Sequence, residues 1–419
     1  MNALLETSTD YRNPYRPLPI ALFNRAGRMV ERMGMGGSLQ VERMVAAAKR
    51  KTGLTDFGDD WFMEPLNILV KSINREAHLN TLGNMLQNTR IVSALSTRLR
   101  AEQLFNENPD ILEIDIGKII LIAGLQRTGT TALHRLLCSN PKLRFLYSWE
   151  MLNPLPEPNE KQDNPRSRIK KAKLASRAMR YMAPEFFAVH PIEHDAPEED
   201  IFLLDLSFMS QAPEATMHVP TYANWLENQD QTPAYEYMHK MLKLMHWQRA
   251  GTAWVLKTPH HMEYLETIFN VFPDVYVIQT HRDPKKSIAS FCSMVAHARG
   301  VLSDCVDPAD IGKHWIEKSI RLMQRSIESR KQRKSSIFVD ITYRDLIREP
   351  IEQLRKIYAA SGICFTENVQ NNAKILANRE KKDRYGKHIY HLQDFGIDER
   401  EINSRCDFYC LEYDLPHEN

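Results

Sequence analysis

The stretch IILIAGLQRTGTTALHRLLCSNP, residues 119–141, changes character twice within a few positions. It begins as an apolar, β-branched run, which predicts a buried strand. The run ends at Gly124, a second glycine follows five residues later at Gly129, and a helical pattern starts near Thr130. A strand, a glycine-containing turn and a helix in this order are typical of a loop that binds phosphate or a similar anion.

The side chains of this loop indicate which anion it suits. ATP-hydrolysing proteins commonly add a lysine and Mg²⁺, but this sequence has Thr130 after the second glycine and Arg127 inside the loop. One cation with backbone N–H donors suits the transfer of a sulfuryl group, because it would stabilise charge that develops on a leaving phosphate. The alternative is an ordinary strand-to-helix turn without a ligand.

A second candidate anion site lies in VYVIQTHRDPKKSIAS, residues 275–290. Arg282 follows a predicted strand, Asp283 and Pro284 are typical of a helix start, and Ser290 comes eight residues after the arginine. Ligands of open parallel sheets bind at the carboxyl ends of the strands. We therefore expect Arg282 and Ser290 to bind a second phosphate, unless Arg282 only pairs with a neighbouring carboxylate.

The order of elements predicts an α/β fold. Residues up to about 110 show helical periodicity throughout, and short strand patterns at 117–123, 254–256, 275–280 and 337–341 are each followed by a helix. This alternation predicts a parallel central sheet flanked by helices. We expect two regions: residues 1–112, a helical N-terminal region packed on the main domain, and residues 113–419, the α/β domain.

Composition excludes several classes of protein. Lys and Arg number 55 against 53 Asp and Glu, so no global charge favours nucleic acid as a partner. The sequence shows no pattern of a secretory signal and no apolar run long enough to span a membrane. Its six cysteines are not spaced in the pairs that metal sites use. We expect a soluble, cytoplasmic protein without a metal site.

Two basic segments have more than one interpretation. Residues 20–33, IALFNRAGRMVERM, predict an amphipathic helix with a basic flank, which would contact a membrane, the main domain or a second subunit. Residues 166–182, RSRIKKAKLASRAMRYM, carry seven basic residues between positions 166 and 180. This run predicts a solvated helix face or a lid over an anionic ligand.

Four segments taken together carry a family resemblance. GLQRTGTT, LKTPHH, FPDVYVIQTHRDP with Ser290, and KHIYHLQDFGI resemble the sulfotransferases that use 3′-phosphoadenosine 5′-phosphosulfate (PAPS), in particular their bacterial branch. The resemblance spans about residues 118–397 and implies a P-loop-like fold. It implies that Arg282 and Ser290 hold the 3′-phosphate and that the 5′-phosphosulfate is held by Gln126, Arg127, Thr128, Gly129, Thr130 and Thr131.

The same resemblance suggests further residues, although the sequence departs from the family here. Cytosolic relatives carry Lys-Thr-His with a catalytic histidine, whereas this chain has a proline after Thr258. We predict that Lys257 and Arg127 are catalytic. His261 is the predicted general base, with His260 as the alternative, because His261 lies four residues after Lys257 and a helix that starts near Pro259 would turn it toward the end of the strand. Relatives close the nucleotide site with Arg-Lys-Gly, for which the similar residues here are Arg384 and Lys387.

A rival base lies in EHDAPEEDIFLL, residues 193–204. His194 is the second candidate, and Glu199 is a third. The segment also predicts a helix N-terminus, with Asp195 as the cap and Glu198 three residues later in an approximate capping box.

These patterns predict a metal-independent sulfotransferase that transfers the sulfuryl group of PAPS to a hydroxyl of a small, hydrophobic acceptor. Met- and aromatic-rich segments such as FLLDLSFMS would line an acceptor pocket, or else belong to the core. A homo-oligomer is compatible with the sequence. Two alternatives stay open: a phosphotransferase in which Asp340 would hold Mg²⁺, and a non-catalytic nucleotide-binding scaffold.

Overall fold

The N-terminal part of the chain is helical. The computed structural model describes residues 6–34, 37–157, 160, 164–379 and 386–418. Before the first strand lie α1 (Leu18–Arg32), α2 (Val41–Thr52), α3 (Met63–Glu76), α4 (Thr81–Glu107) and a 3₁₀ turn (Pro109–Glu113). Asn80 caps α4, because its side chain accepts a hydrogen bond from the N–H of Gly83 at 2.8 Å. The predicted N-terminal helices are confirmed.

A five-stranded sheet follows, and every pair of neighbouring strands is parallel. The strands are β1 (Lys118–Gly124), β2 (Leu143–Arg144), β3 (Ala253–Lys257), β4 (Val275–His281) and β5 (Phe338–Thr342), in the order β2-β3-β1-β4-β5. The sequence predicted four of them; β2 has two residues, too few to give a pattern. The central position of β1 places the ends of β3 and β4 on either side of its loop.

The remaining helices cover the sheet. They are α5 (Thr130–Leu137), α6 (Ser148–Leu152), α7 (Arg166–Met182), α8 (Pro184–Val189), α9 (Ile201–Asp205), α10 (Ala212–Thr216), α11 (Pro220–Leu226), α12 (Thr232–Gln248), α13 (Leu265–Val271), α14 (Pro284–Leu302), α15 (Pro308–Lys331), α16 (Tyr343–Arg348), α17 (Pro350–Ser361), α18 (Glu367–Arg379) and α19 (Glu399–Glu412). Further 3₁₀ turns span Pro259–Glu263, Ser335–Ile337 and Leu392–Phe395. None of the helices in the described ranges is long and apolar enough to cross a membrane.

Alternate residues of the central strand serve two apolar cores. Ile119 and Leu121 of β1 face a large core that also contains residues of the N-terminal helices, such as Leu66 of α3. Ile120 and Ile122 face a smaller core formed with α5, α17 and α18. Because both faces of β1 are buried, its sequence is a continuous apolar run instead of an alternating one.

The helix start predicted at Asp195 is wrong. Residues 191–200 contain no helix, and α9 begins only at Ile201 with Asp200 before it. The N–H of Glu198 donates to the carbonyl of Leu146 at 2.9 Å, and Pro197 forms a bridge with Tyr147. These contacts hold the segment extended along the chain that follows β2, so Asp195 and Glu198 cannot form a capping box.

Candidate active site

The loop between β1 and α5 has a tight, sterically constrained backbone. Arg127 and Gly129 both have positive φ, of 69° and 92°. A Cβ at Gly124 would lie 2.2 Å from Oγ1 of Thr280 on β4, so no other residue fits there. The first N–H groups of α5 have no acceptor within the helix and are free to bind an anion at this end.

Thr128 holds the loop against the sheet. Its Oγ1 donates to the carbonyl of Leu125 at 2.6 Å and lies 2.6 Å from Oγ1 of Thr280. The side chain is buried, whereas Gln126, Gly129, Thr130 and Thr131 line the cleft above the loop. Thr128 therefore shapes the loop, and its neighbours face the ligand space.

Arg127 and the second predicted anion site are in contact. The Nε of Arg127 donates to Oγ of Ser290 at 3.1 Å, and an Nη of Arg282 donates to the carbonyl of Arg127 at 3.2 Å. A further donor of Arg127 bonds to the carbonyl of Val189 at the end of α8, at 3.3 Å. Burial and, to a lesser extent, the charge of Arg282 lower the pKa of Arg127. The cations predicted from two separate motifs thus form one group of hydrogen-bond donors suited to an anion.

Arg282 is oriented by an aromatic ring and a carboxylate. Its guanidinium lies 4.2 Å from the ring centre of Tyr343, and it donates twice to Glu418, with the closest contact at 2.8 Å. Asp283 caps α14 as predicted, because its carboxylate accepts from the N–H of Lys285 at 2.9 Å. Burial acts to lower the pKa of Arg282, but the Glu418 carboxylate offsets this and the pKa is raised.

These groups line one open cleft of about 1490 Å³ at the carboxyl ends of the strands. The cleft is formed by the loops that follow β1, β4 and β5, the end of α8, and the segments at 386–390 and 413–418. The predicted residues that line it are Gln126, Arg127, Gly129, Thr130, Thr131, Glu199, Arg282 and Ser290.

Lys257 and Glu199 form an ion pair at the wall of this cleft. Nζ of Lys257 lies 2.5 Å from Oε1 of Glu199. The side chain of Glu199 is 20% exposed and that of Lys257 only 3%. Among the residues that line the cleft, Glu199 is therefore a carboxylate positioned by a buried cation.

His261 and His260 lie behind that wall. Nε2 of His261 is 3.0 Å from Asp200, and its Nδ1 is 2.9 Å from the hydroxyl of Tyr235. Both histidines are fully buried and neither lines the cleft. Burial lowers the pKa of His260 far below its usual range, and in the described structure its ring nitrogens have no hydrogen-bond partner. Their arrangement supports a packing or positioning role.

Two other predicted residues also lie away from the cleft lining. His194 is 3.6 Å from the carboxylate of Asp195 on the partly exposed segment before α9. The ammonium of Lys387 is exposed and lies 3.4 Å from Glu6. Arg384 lies outside the described residues. Next to Lys387, Gly386 and His388 do line the cleft.

Some residues of the cleft were missed by the sequence interpretation. His190, at the end of α8, faces the cleft, as do Arg344 and Arg348 of α16. Burial lowers the pKa of His190, although Glu198 and Glu199 act in the opposite direction. The arginines follow β5, and their position after a strand end was a usable signal. No spacing marks His190, which only the tertiary structure brings to the site.

The Met- and aromatic-rich segments belong to the core. Tyr237, Met238, Met241 and Met245 of α12 are buried in the larger core and do not line the cleft. Among the described residues, no three His, Cys, Asp or Glu side chains are grouped so that they could hold a metal ion. Asp340 instead binds Arg330 at 2.5 Å and His281 at 2.9 Å, which lowers the pKa of its carboxyl against the effect of burial.

Comparisons with known proteins identify the family and the fold of the chain. The sequence model of the sulfotransferase family matches residues 120–367. The crystal structure of sulfotransferase STF1 from Mycobacterium tuberculosis H37Rv is 30% identical in sequence; the match covers 88% of this chain and 98% of that one, with a TM-score of 0.78. Sulfotransferase STF9 from Mycobacterium avium shares the fold at 23% identity and a TM-score of 0.82, with 91% and 98% of the two chains covered.

No curated protein sequence matches the chain significantly. The family match extends from β1 to the start of α18 and so contains the loop between β1 and α5, Lys257, Arg282 and Ser290. The chain belongs to the sulfotransferase family.

Proposed function

We propose that the protein transfers the sulfuryl group of PAPS to a hydroxyl of a small acceptor. This proposal rests on the contacts of Arg127 with Ser290 and Arg282, because they join two groups of anion-binding side chains in one cleft. PAPS has two anionic ends, a 5′-phosphosulfate and a 3′-phosphate. The loop residues Gln126 to Thr131 would hold the first, and Arg282 with Ser290 the second.

When bound, PAPS would supply the sulfuryl group, and its 5′-phosphate would leave as part of adenosine 3′,5′-bisphosphate. Arg127 would stabilise the charge that develops on that phosphate, since a preorganised donor in a partly buried site interacts strongly with developing charge. The N–H groups at the start of α5 would add to this effect.

The acceptor hydroxyl needs a base as its oxygen attacks in line. We propose Glu199 for this role, because it lines the cleft and Lys257 orients it at 2.5 Å. His190 is the alternative base, as burial lowers its pKa and so favours the neutral imidazole that can accept a proton. His261, the base predicted first, would then act through Asp200, to which the N–H of Lys257 also donates, at 2.8 Å.

The two other functions weighed from the sequence have less support. A phosphotransferase would need Asp340 to be available for Mg²⁺, but Asp340 does not line the cleft, and its carboxylate is paired with Arg330 and His281. A scaffold without chemistry would have no need for Glu199 and Lys257 beside the anion donors. We therefore retain a single proposed function.

The decisive experiment is thermal unfolding with adenosine 3′,5′-bisphosphate in EDTA. A ligand at 100 times its Kd stabilises the folded state by about 2.7 kcal/mol, so the Tm of the wild type should rise. Arg282→Ala should lose most of this rise. Arg405→Ala is the matched control, since Arg405 also pairs with a carboxylate, Glu317, but lies outside the cleft.

Transfer of label from ³⁵S-PAPS to a panel of phenols, sterols and sugars would then define the acceptor. A rise in Tm that appears only with Mg·ATP, and not with the bisphosphate, would contradict the proposed function.

A further inference from the structure

The helix α1 is attached to the protein along one narrow side. Its one buried residue is Asn24, whose side-chain oxygen accepts from the N–H of Leu82 at the start of α4, at 3.0 Å. A Cβ at Gly27 would lie 2.0 Å from Oγ1 of Thr81, so the two helices approach closely at this point. These contacts fix the rotation of α1 about its axis.

The opposite side of α1 is apolar and exposed. With a rotation of about 100° per residue, Leu18, Leu22, Met29 and Met33 fall on the side away from Asn24. Leu18 is 71% exposed and Met33 70%. Scattered exposed apolar residues are normal, but a continuous apolar face of this kind marks an interaction surface. The described part of the chain leaves this face open to solvent.

A basic edge runs between the attached side and the apolar face. Arg25, Arg28 and Arg32 lie three or four residues apart and so follow one line along the helix. Arg28 is paired with Asp304 at 2.5 Å, whereas Arg25 and Arg32 have no acidic partner within the described part of the chain. The first 51 residues carry nine Lys and Arg against four Asp and Glu, so this segment of the chain is basic as a whole.

We propose that α1 lies in the headgroup region of an anionic lipid bilayer and holds the enzyme at the membrane surface. An exposed apolar face with an arginine edge is the arrangement of interfacial helices. The apolar side chains would enter the boundary of the acyl chains, and Arg25 and Arg32 would contact anionic headgroups.

A second copy of the chain fits this face less well. Pairing two copies through it would bring both sets of unpaired arginines to one apolar interface, and Glu31 is the only carboxylate on the helix. Like charges without partners at an interface are unfavourable. The charge of α1 therefore favours an anionic lipid surface as its partner.

The test is co-sedimentation with vesicles of phosphatidylcholine, with and without phosphatidylglycerol. The full-length protein should pellet with the anionic vesicles, and added salt should weaken this binding because it screens the charges. Leu22→Gln should lower the vesicle partition coefficient about tenfold. The double variant Arg25→Gln/Arg32→Gln should lower it about fivefold for each charge removed.

Leu411→Gln serves as the matched control, because Leu411 is 82% exposed but belongs to α19 and not to α1. Its vesicle binding should equal that of the wild type. The proposal is overturned if the wild type pellets with neither vesicle or if Leu22→Gln binds as well as the wild type. It is also overturned if ultracentrifugation without lipid shows a dimer that Leu22→Gln converts to a monomer.

Discussion

Two lysine–glutamate ion pairs in this protein have similar geometry and different surroundings. Lys257 and Glu199 are 2.5 Å apart at the wall of the cleft, and Lys318 and Glu214 are also 2.5 Å apart, between α15 and α10. Glu199 is 20% exposed, whereas Glu214 is 1% exposed. The first pair has a carboxylate that a ligand can reach. The second pair, called the sealed pair below, is closed to solvent.

The neighbours of the two carboxylates reinforce this difference. Glu214 also binds His314 at 2.9 Å, and Glu263 lies 3.8 Å from Lys318, so the sealed pair belongs to a larger ionic network. Such networks are costly to break, because removal of one partner leaves a buried charge. An ion pair at a cleft can instead be hydrated when one partner is removed. The same chemical pair should therefore serve stability in one place and catalysis in the other.

The largest effect is expected from Glu199→Gln. Loss of a general base typically lowers the rate by about 10²- to 10⁴-fold, and this amide should lower kcat by that factor with little change in Tm. Steady-state transfer of label from PAPS to the acceptor found in the panel measures it. The matched control is Glu227→Gln, since Glu227 is also partly exposed and paired with a cation, Arg321, at 2.5 Å, but does not line the cleft.

If Glu199→Gln keeps wild-type kcat while His190→Gln loses it, the base is His190. The Lys257–Glu199 pair would then not supply the catalytic base.

The next effect concerns the sealed pair. Lys318→Met leaves Glu214 without its ammonium partner, and breaking a buried ion pair in this way costs about 3–5 kcal/mol. Urea denaturation should show this loss in the free energy of unfolding. Lys313→Met, at an exposed position of the same helix, should change the free energy of unfolding by less than about 0.5 kcal/mol. Equal stability of the two variants would contradict the assignment.

The sealed pair should also make stability depend on pH. Burial alone would raise the pKa of Glu214, but Lys318 and His314 lower it from 4.5 to about 2. Because the folded pKa lies below the unfolded one, the stabilisation is complete above about pH 4.5 and is lost as pH falls toward about 2, a change of about 3 kcal/mol.

The free energy of unfolding, measured across this pH range, should fall less steeply in Glu214→Gln than in the wild type. Parallel curves for the two proteins would mean that Glu214 contributes nothing to the pH dependence of the free energy of unfolding.

The smallest effect on the free energy of unfolding is expected from Lys257→Met. Water in the cleft can solvate the Glu199 carboxylate once the ammonium is gone, so the stability loss should be about 1 kcal/mol. The difference from Lys318→Met, measured in the same urea titration, gives the energetic contrast between the two ion pairs. A loss as large as that of Lys318→Met would mean that the cleft wall is as sealed as the core.

The meeting of the two basic motifs was predictable because it depends on strand ends. Arg127 and Ser290 are far apart in sequence, but in a parallel sheet the residues that follow adjacent strands meet at one edge. The apolar patterns of β1 and β4, with the basic residues that follow them, are therefore enough to predict that the two motifs meet.

The position of the base was not predictable in the same way. The spacing of four residues between Lys257 and His261 suggested a shared helical side, but Pro259–Glu263 is a 3₁₀ turn and His261 faces Asp200 and Tyr235 in the core. His190 reaches the cleft through the packing of α8, which local sequence does not encode. The predicted boundary between residues 112 and 113 remains a prediction, because the N-terminal helices share the larger core.

The hydrogen bond from Arg282 to the carbonyl of Arg127 spans 155 positions of the chain. A contact of such sequence separation closes a long loop, which costs conformational entropy. The contact between the two basic motifs thus depends on the assembled sheet, and neither motif forms it alone. If the cleft binds a nucleotide as proposed, binding should require the assembled sheet, so a fluorescent nucleotide would report molecules in which the two motifs have met and not chains in which they are still apart.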